Sequence, residues 1–150
     1  MSKIRHTVFF LPLMLVCLAM ADKWKELDLG SFKLSIPVNW NYKAMQGKDS
    51  FVGQIVGPKS TLEFDFSNDG YASHLISTEQ ELASYTFKID TTDAFITKTI
   101  WPKVAGKGIT GVYMQSRTSH LNFQMSGANL PLQEQQLALQ AFRTIIIKYQ

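Results

Sequence analysis

Phe32-Lys33-Leu34-Ser35-Ile36-Pro37-Val38-Asn39-Trp40 is the stretch on which the fold turns. Apolar residues stand at 32, 34 and 36, with polar ones between them. A period of two is the mark of a strand with one buried face. Pro37 cannot donate to a central ladder, so the strand stops there. Trp40 then anchors the chain just beyond the turn. Upstream, Trp24, Leu27 and Leu29 give a looser alternation, broken by Gly30-Ser31.

Downstream the same period recurs. Trp40–Met45 is short and extended, and Gln46-Gly47-Lys48-Asp49 is a turn. Phe51–Val56 and Thr61–Phe66 form a hairpin about Gly57-Pro58. In its second strand Leu62, Phe64 and Phe66 face in, while Glu63 and Asp65 face out. Ser67-Asn68-Asp69-Gly70 is a further turn. Ser77-Thr78-Glu79-Gln80-Glu81 has capping-box spacing and predicts a short helix. Tyr85-Phe87-Ile89 and Phe95–Trp101 pair across Asp90–Asp93. Ile109–Met114 and Leu121–Met125 pair around Arg117-Thr118-Ser119. Together these predict an antiparallel meander. Leu132–Phe142 is rich in Gln, Leu and Ala and predicts a closing helix with Pro131 in its first turn. Leu132, Ala138, Leu139 and Phe142 are its expected buried side. The β-branched run Ile145-Ile146-Ile147 leaves the helix.

The first 21 residues read as an address. Lys3, Arg5 and His6 form a basic start, Thr7–Met20 carries no charge, and Ala19-Met20-Ala21 supplies the small residues of a cleavage site. The expectation is a leader over 1–21 and one domain over 22–150, exported to the periplasm or the exterior. The apolar core is short for a span and contains Pro12, so no stable membrane span is expected after cleavage. Lipidation at Cys17 would need a small residue before the cysteine, where Val16 stands.

Loss of Lys3 and Arg5 leaves 13 basic and 12 acidic side chains, a net charge of +1 against +3 for the whole chain. That balance does not point to nucleic acid, which asks for a clustered basic face. Lys98, Lys103 and Lys107 are the nearest approach to one, and a solvated hairpin explains them. Cys17 is the only cysteine. The domain after the leader therefore has no disulfide, no cysteine nucleophile and no thiolate metal site. About 129 residues suffice for one core held by burial alone.

A strand ending in Pro37-Val38-Asn39-Trp40, antiparallel strands in the middle, and a helix running into Ala141-Phe142-Arg143-Thr144-Ile145 resemble the PsbP-like fold family. The chain is also similar to small secreted bacterial proteins that carry the segment written here Gly47-Lys48-Asp49-Ser50-Phe51-Val52-Gly53 followed by Phe64-Asp65-Phe66. The resemblance implies an α+β fold, a single domain with an antiparallel sheet flanked by helices in an α/β/α sandwich. It implies binding or assembly roles and no common catalytic set, and fold analogy alone assigns no reaction.

Among the residues that carry chemistry, Gly47, Asp49, Ser50 and Gly53 rank first. Asp49 and Ser50 suit a turn that satisfies its own backbone, and Gly53 permits close approach. Trp40 and Tyr42 nearby line a pocket or pack in the core. The candidate ligand-binding set is therefore Trp40, Tyr42, Asp49, Ser50 and Gly53. Glu63, Asp65 and Asp69 lack the spacing of a calcium loop. His74 and His120 have no third ligand near them, so no metal and no cofactor are expected. A hydrolase would have to use Ser50, His74 and Asp49 or Asp65, without a nucleophile elbow. The functional expectation is an exported, non-enzymatic binding or accessory domain for a protein or small ligand. The alternatives are a secreted hydrolase and a protein-docking subunit of an envelope complex.

Overall fold

Phe32, Leu34 and Ile36 are almost wholly removed from solvent, as their alternation demands. They lie on β2 (Phe32–Pro37), the middle strand of a three-stranded antiparallel sheet between β1 (Trp24–Asp28) and β10 (Ile146–Ile147). The computed structural model describes residues 23–68 and 83–148. The expected leader over 1–21 and the capping-box segment Ser77–Glu81 lie outside them.

A second, seven-stranded sheet holds most of the chain. It comprises β3 (Asn41–Ala44), β4 (Phe51–Val56), β5 (Thr61–Ser67), β6 (Tyr85–Thr91), β7 (Phe95–Pro102), β8 (Ile109–Ser116) and β9 (Asn122–Ala128). Its order is β3-β4-β5-β9-β8-β7-β6, and every neighbouring pair is antiparallel. The expected hairpins over 51–66 and 85–101 are present. The meander from β6 to β9 then closes by a long-range step, β9 pairing with β5 through Phe64↔Met125 and Phe66↔Phe123.

The two sheets share one core. Phe32 meets Phe64 edge-on at 5.0 Å and Phe123 at 4.8 Å between ring centroids. Leu62, Val112 and Met125 fill the space around this cluster. A single helix among the described residues, α1 (Leu132–Phe142), packs against β2 and β8. It buries Leu137, Ala138, Ala141 and Phe142, while Leu132 is exposed. The expected helical face was thus wrong at Leu132 and missed Leu137 and Ala141. Buried Gln135 tolerates the core because its amide donates to Thr110 Oγ1 at 3.3 Å, which satisfies a buried polar group.

The helix ends where Thr144 turns back. Its hydroxyl donates to Ala141 O at 2.7 Å and accepts the Ser35 N–H at 2.8 Å. That bond sets the chain beside β2, and Ile146↔Lys33 and Ile147↔Phe32 follow. The isoleucine run leaves the helix as its branching dictates.

The fold class differs from the α+β, helix-flanked sandwich implied by the PsbP-like resemblance. The chain is mostly β, with two antiparallel sheets and one described helix. The physical reason lies at the two ends of the domain. The opening hairpin and the closing isoleucines pair with each other on β2, so a sheet occupies the layer that a helix was expected to fill. Among the described residues, no helix is long and apolar enough to cross a membrane.

Burial also changes sides across the large sheet. Near β5 and β9 the apolar side chains face the small sheet. On β6 and β7 Phe87, Ile89, Ile96 and Ile100 occupy the opposite face together with Lys98, Ile100 in register with Gly111 of β8 and Lys98 with Tyr113. Ile100 and Tyr113 are buried there, whereas Phe87 and Ile89 are about half exposed.

Candidate functional site

The five sequence-selected residues do not converge. Strand spacing of ~3.3 Å per residue puts Trp40 and Ser50 roughly 20 Å apart along the β3–β4 hairpin. Asp49 is exposed in the turn, and Ser50 is half-buried at the entrance to β4. The tight contact in that turn belongs to Gly47, where a Cβ would collide with the Ser50 carbonyl oxygen.

Tyr42 and Gly53 lie in the middle of the hairpin and do meet. A Cβ on Gly53 would stand 2.7 Å from the Phe64 ring and 2.8 Å from Tyr42 Cε2. The two rings stack with centroids 6.2 Å apart and an interplanar angle of 26°. Close approach on the Cβ side of Gly53 is therefore approach by this chain's own aromatic side chains, and the same glycine also lines a cavity of about 280 Å³ with Val52 and Asp65.

Trp40 occupies the far end, in a corner between the β4–β5 turn and the start of α1. Its N–H bonds the Pro37 carbonyl at 2.9 Å, which folds the Pro37–Trp40 turn and drives the indole inward. Gly57 admits it, because a Cβ there would lie 2.9 Å from Trp40 Nε1 and 3.2 Å from Glu134 Oε2. Glu134, on the first turn of α1, accepts the Lys59 N–H at 3.0 Å and the Ser60 hydroxyl. A buried carboxylate with two donors is a satisfied one, and it clamps the β4–β5 turn to the helix. Trp40 Nε1 is buried without a partner beside a cavity of about 220 Å³.

A different surface gathers polar groups. On the face of the large sheet turned away from the small sheet, β4, β5 and β9 place Gln54, Glu63 and Ser126 in one cross-strand row. Val52, Asp65 and Gln124 form the next, and Tyr113 of β8 continues it. Two adjoining cavities of about 650 Å³ and 280 Å³ open here and share Glu63 and Ser126 as walls. Gln54 Nε2 donates to Glu63 Oε1 at 2.9 Å. Asp65 Oδ1 is buried with no hydrogen-bond partner. Burial raises the Tyr113 phenol above its ordinary pKa, because a phenolate loses solvation there.

This trough was only half legible. The alternation in Thr61–Phe66 put Glu63 and Asp65 on one face, where solvent explained them. Gln124 and Ser126 join them only through the β5–β9 pairing, which no local signal announces. Glu134 was missed because a Glu in the first helical turn ordinarily serves the helix dipole. His74 and Asp69 lie outside the described residues. No group of three or more His, Cys, Asp or Glu able to hold a metal occurs among the described residues. No family model matches this chain, and no curated protein matches it.

Proposed function

We propose that the chain is an exported, non-enzymatic binding domain that holds a small amine-bearing ligand in the trough over β4, β5 and β9. The observation that carries this reading is Asp65, which lines the smaller cavity and whose Oδ1 is buried behind that wall without a hydrogen-bond partner. A buried acceptor without a donor costs about 1–3 kcal/mol, and carboxylates accept only. A turn of the carboxylate that brings this oxygen to a ligand N–H in the cavity repays that cost. Glu63, two residues along the same strand face, adds a second negative charge, and the carboxamides of Gln54 and Gln124 supply orientation. Export rests on the basic start, the uncharged core and the Ala19-Met20-Ala21 close of the leader.

The test is a titration of the isolated chain with putrescine, followed by thermal unfolding and by side-chain amide NMR signals of Gln54 and Gln124. Glycerol is the neutral control. Putrescine should raise the melting temperature and move both amide pairs, and glycerol should do neither. Asp65→Asn should keep the fold, equal or exceed the parent in stability, and lose the putrescine response. An Asp65→Asn variant that responds to putrescine as the parent does would refute the assignment.

A further inference from the structure

β6 ends the large sheet, and nothing pairs with its outer side among the described strands. Its exposure is high along the whole strand from Thr86 to Thr91. Such a strand ordinarily templates pairing with another chain unless something blunts it. The backbone hydrogen bonds show which groups it offers. Thr92 N donates to Phe95 O at 2.8 Å, and Lys103 N donates to Ser84 O at 3.0 Å. Residues 84 and 92 therefore face β7. The β6–β7 register runs without a bulge between them, so 86, 88 and 90 face β7 as well. It follows that Tyr85, Phe87, Ile89 and Thr91 aim their N–H and C=O groups outward from the open edge.

We propose that this edge is a homodimer interface, β6 pairing antiparallel with β6 of a second copy so that Ile89 lies opposite Ile89. Two copies joined along antiparallel edges are related by a twofold axis normal to the sheet. That axis keeps each residue on its own face, so only pairings between residues of like parity are allowed. Three such registers bring the strand centres together, and charge chooses among them. With Lys88 opposite Lys88, or Asp90 opposite Asp90, like charges meet where strand backbones come within ~4.5 Å. With Ile89 on the axis, each Lys88 faces the partner's Asp90.

Within one chain Lys88 Nζ already pairs with Asp90 Oδ2 at 2.8 Å, both side chains being exposed. The dimer closes these two pairs into a square of alternating charge. About six backbone hydrogen bonds form at the outward-facing residues. On the opposite face Ile89 meets Ile89 beside Phe87, covering apolar groups that are 55% and 49% exposed in the single chain. Lys88 on an exposed edge is a guard against indiscriminate pairing. Asp90 two residues away makes the guard admit one register.

Sedimentation of the isolated chain tests this. The parent should dimerise with Kd below ~100 μM and more weakly as salt rises, since exposed charges are screened. Lys88→Asp and Asp90→Lys should each be monomeric at that concentration, with affinity lowered about ten-fold or more. Mixed together they should form a heterodimer, because each like-charged edge now faces its opposite. That recovery also shows both variants to be folded. A monomeric parent at several times that concentration would overturn the proposal. So would a dimer that survives Asp90→Lys, since the alternative Lys88-on-Lys88 register places Asp90 opposite Thr86.

Discussion

Gly53→Ala separates a packing role from a binding role at the glycine that the sequence singled out. The added methyl would stand 2.7 Å from the Phe64 ring and 2.8 Å from Tyr42. Both distances are well inside contact. Phe64 cannot yield, because Phe32 meets it at 5.0 Å and Phe51 at 5.2 Å between centroids. Tyr42, half-buried on an edge strand, can. Overpacking of this kind costs about 1–3 kcal/mol. Against it stands the lower unfolded-state entropy of alanine, worth about 0.4–1 kcal/mol. The clash wins, leaving a net loss of about 1–2 kcal/mol. For a domain of this size that is a fall of roughly 4–8 °C in melting temperature. Urea unfolding should show a lower midpoint with an unchanged slope. In a Tyr42→Ala background the same substitution should cost less by about 0.5–1 kcal/mol, since one of the two contacts is gone. A Gly53→Ala variant as stable as the parent would refute the packing argument and leave Gly53 only its place on the wall of the smaller cavity.

Trp40→Ala should cost about 3–5 kcal/mol, the range for deleting a large buried aromatic, since the ring is 1% exposed; a loss under ~1 kcal/mol, read by denaturant unfolding, would contradict its place in the corner. Tyr113 has a folded-state pKa raised by burial, so the unfolded chain ionises first, and stability present below about pH 10 should fall as pH rises beyond it. Tyr113→Phe should flatten that alkaline fall, and an unchanged profile would show another group to be responsible. Asp28 lies on the other side of neutrality. Its pKa is lowered by the Lys148 ammonium at 2.5 Å and by the Gly30 N–H, so its contribution is present above about pH 4 and lost as pH falls through the depressed value. Asp28→Asn should remove a small acid-side dependence measurable in a pH series of melting curves.

What the sequence disclosed was whatever period and turn chemistry dictate locally. The alternation of Phe32, Leu34 and Ile36 reported a buried face, and the buried face is there. Gly57-Pro58 reported a hairpin, and β4 pairs with β5 from Phe51↔Phe66 to Val56↔Thr61. The failures are of another kind. The helix-flanked layer was inferred from a resemblance at the ends of the domain, whereas the pairing of Ile146–Ile147 with β2 is a contact across more than a hundred residues. The trough fails to show for the same reason: Asp65 and Gln124 become neighbours only through β5–β9. Alternation in Tyr85–Ile89 was visible, but not which face it would bury. Phe87 and Ile89 follow a period that predicts an inside, and they lie on the side of the sheet opposite the shared core. Period fixes which residues share a face; tertiary pairing decides which face is in.

The change of burial across the large sheet ties the two proposed surfaces together. The trough lies over β4, β5 and β9, where the face away from the core is polar. The pairing edge is β6, where the same face turns apolar through Ile100, Phe87 and Ile89. β8 stands between them, with Tyr113 in register with Gln124 on one side and Lys98 on the other. A twofold axis normal to the sheet leaves each face on its own side. Dimerisation through β6 would thus carry two troughs on one surface, open in the same direction and separated by the width of the β6–β7–β8 strips. A ligand with a single amine would gain nothing from that arrangement. One with amines spaced to reach both troughs would bind the dimer by an intramolecular second step, and its affinity would exceed that of a single-amine analogue only while β6 stays paired. Asp90→Lys tests the connection directly: it should abolish the advantage of the divalent ligand and leave the affinity for the monovalent one unchanged. Loss of both affinities together would place Asp90 within the trough's own machinery and break the independence of the two surfaces.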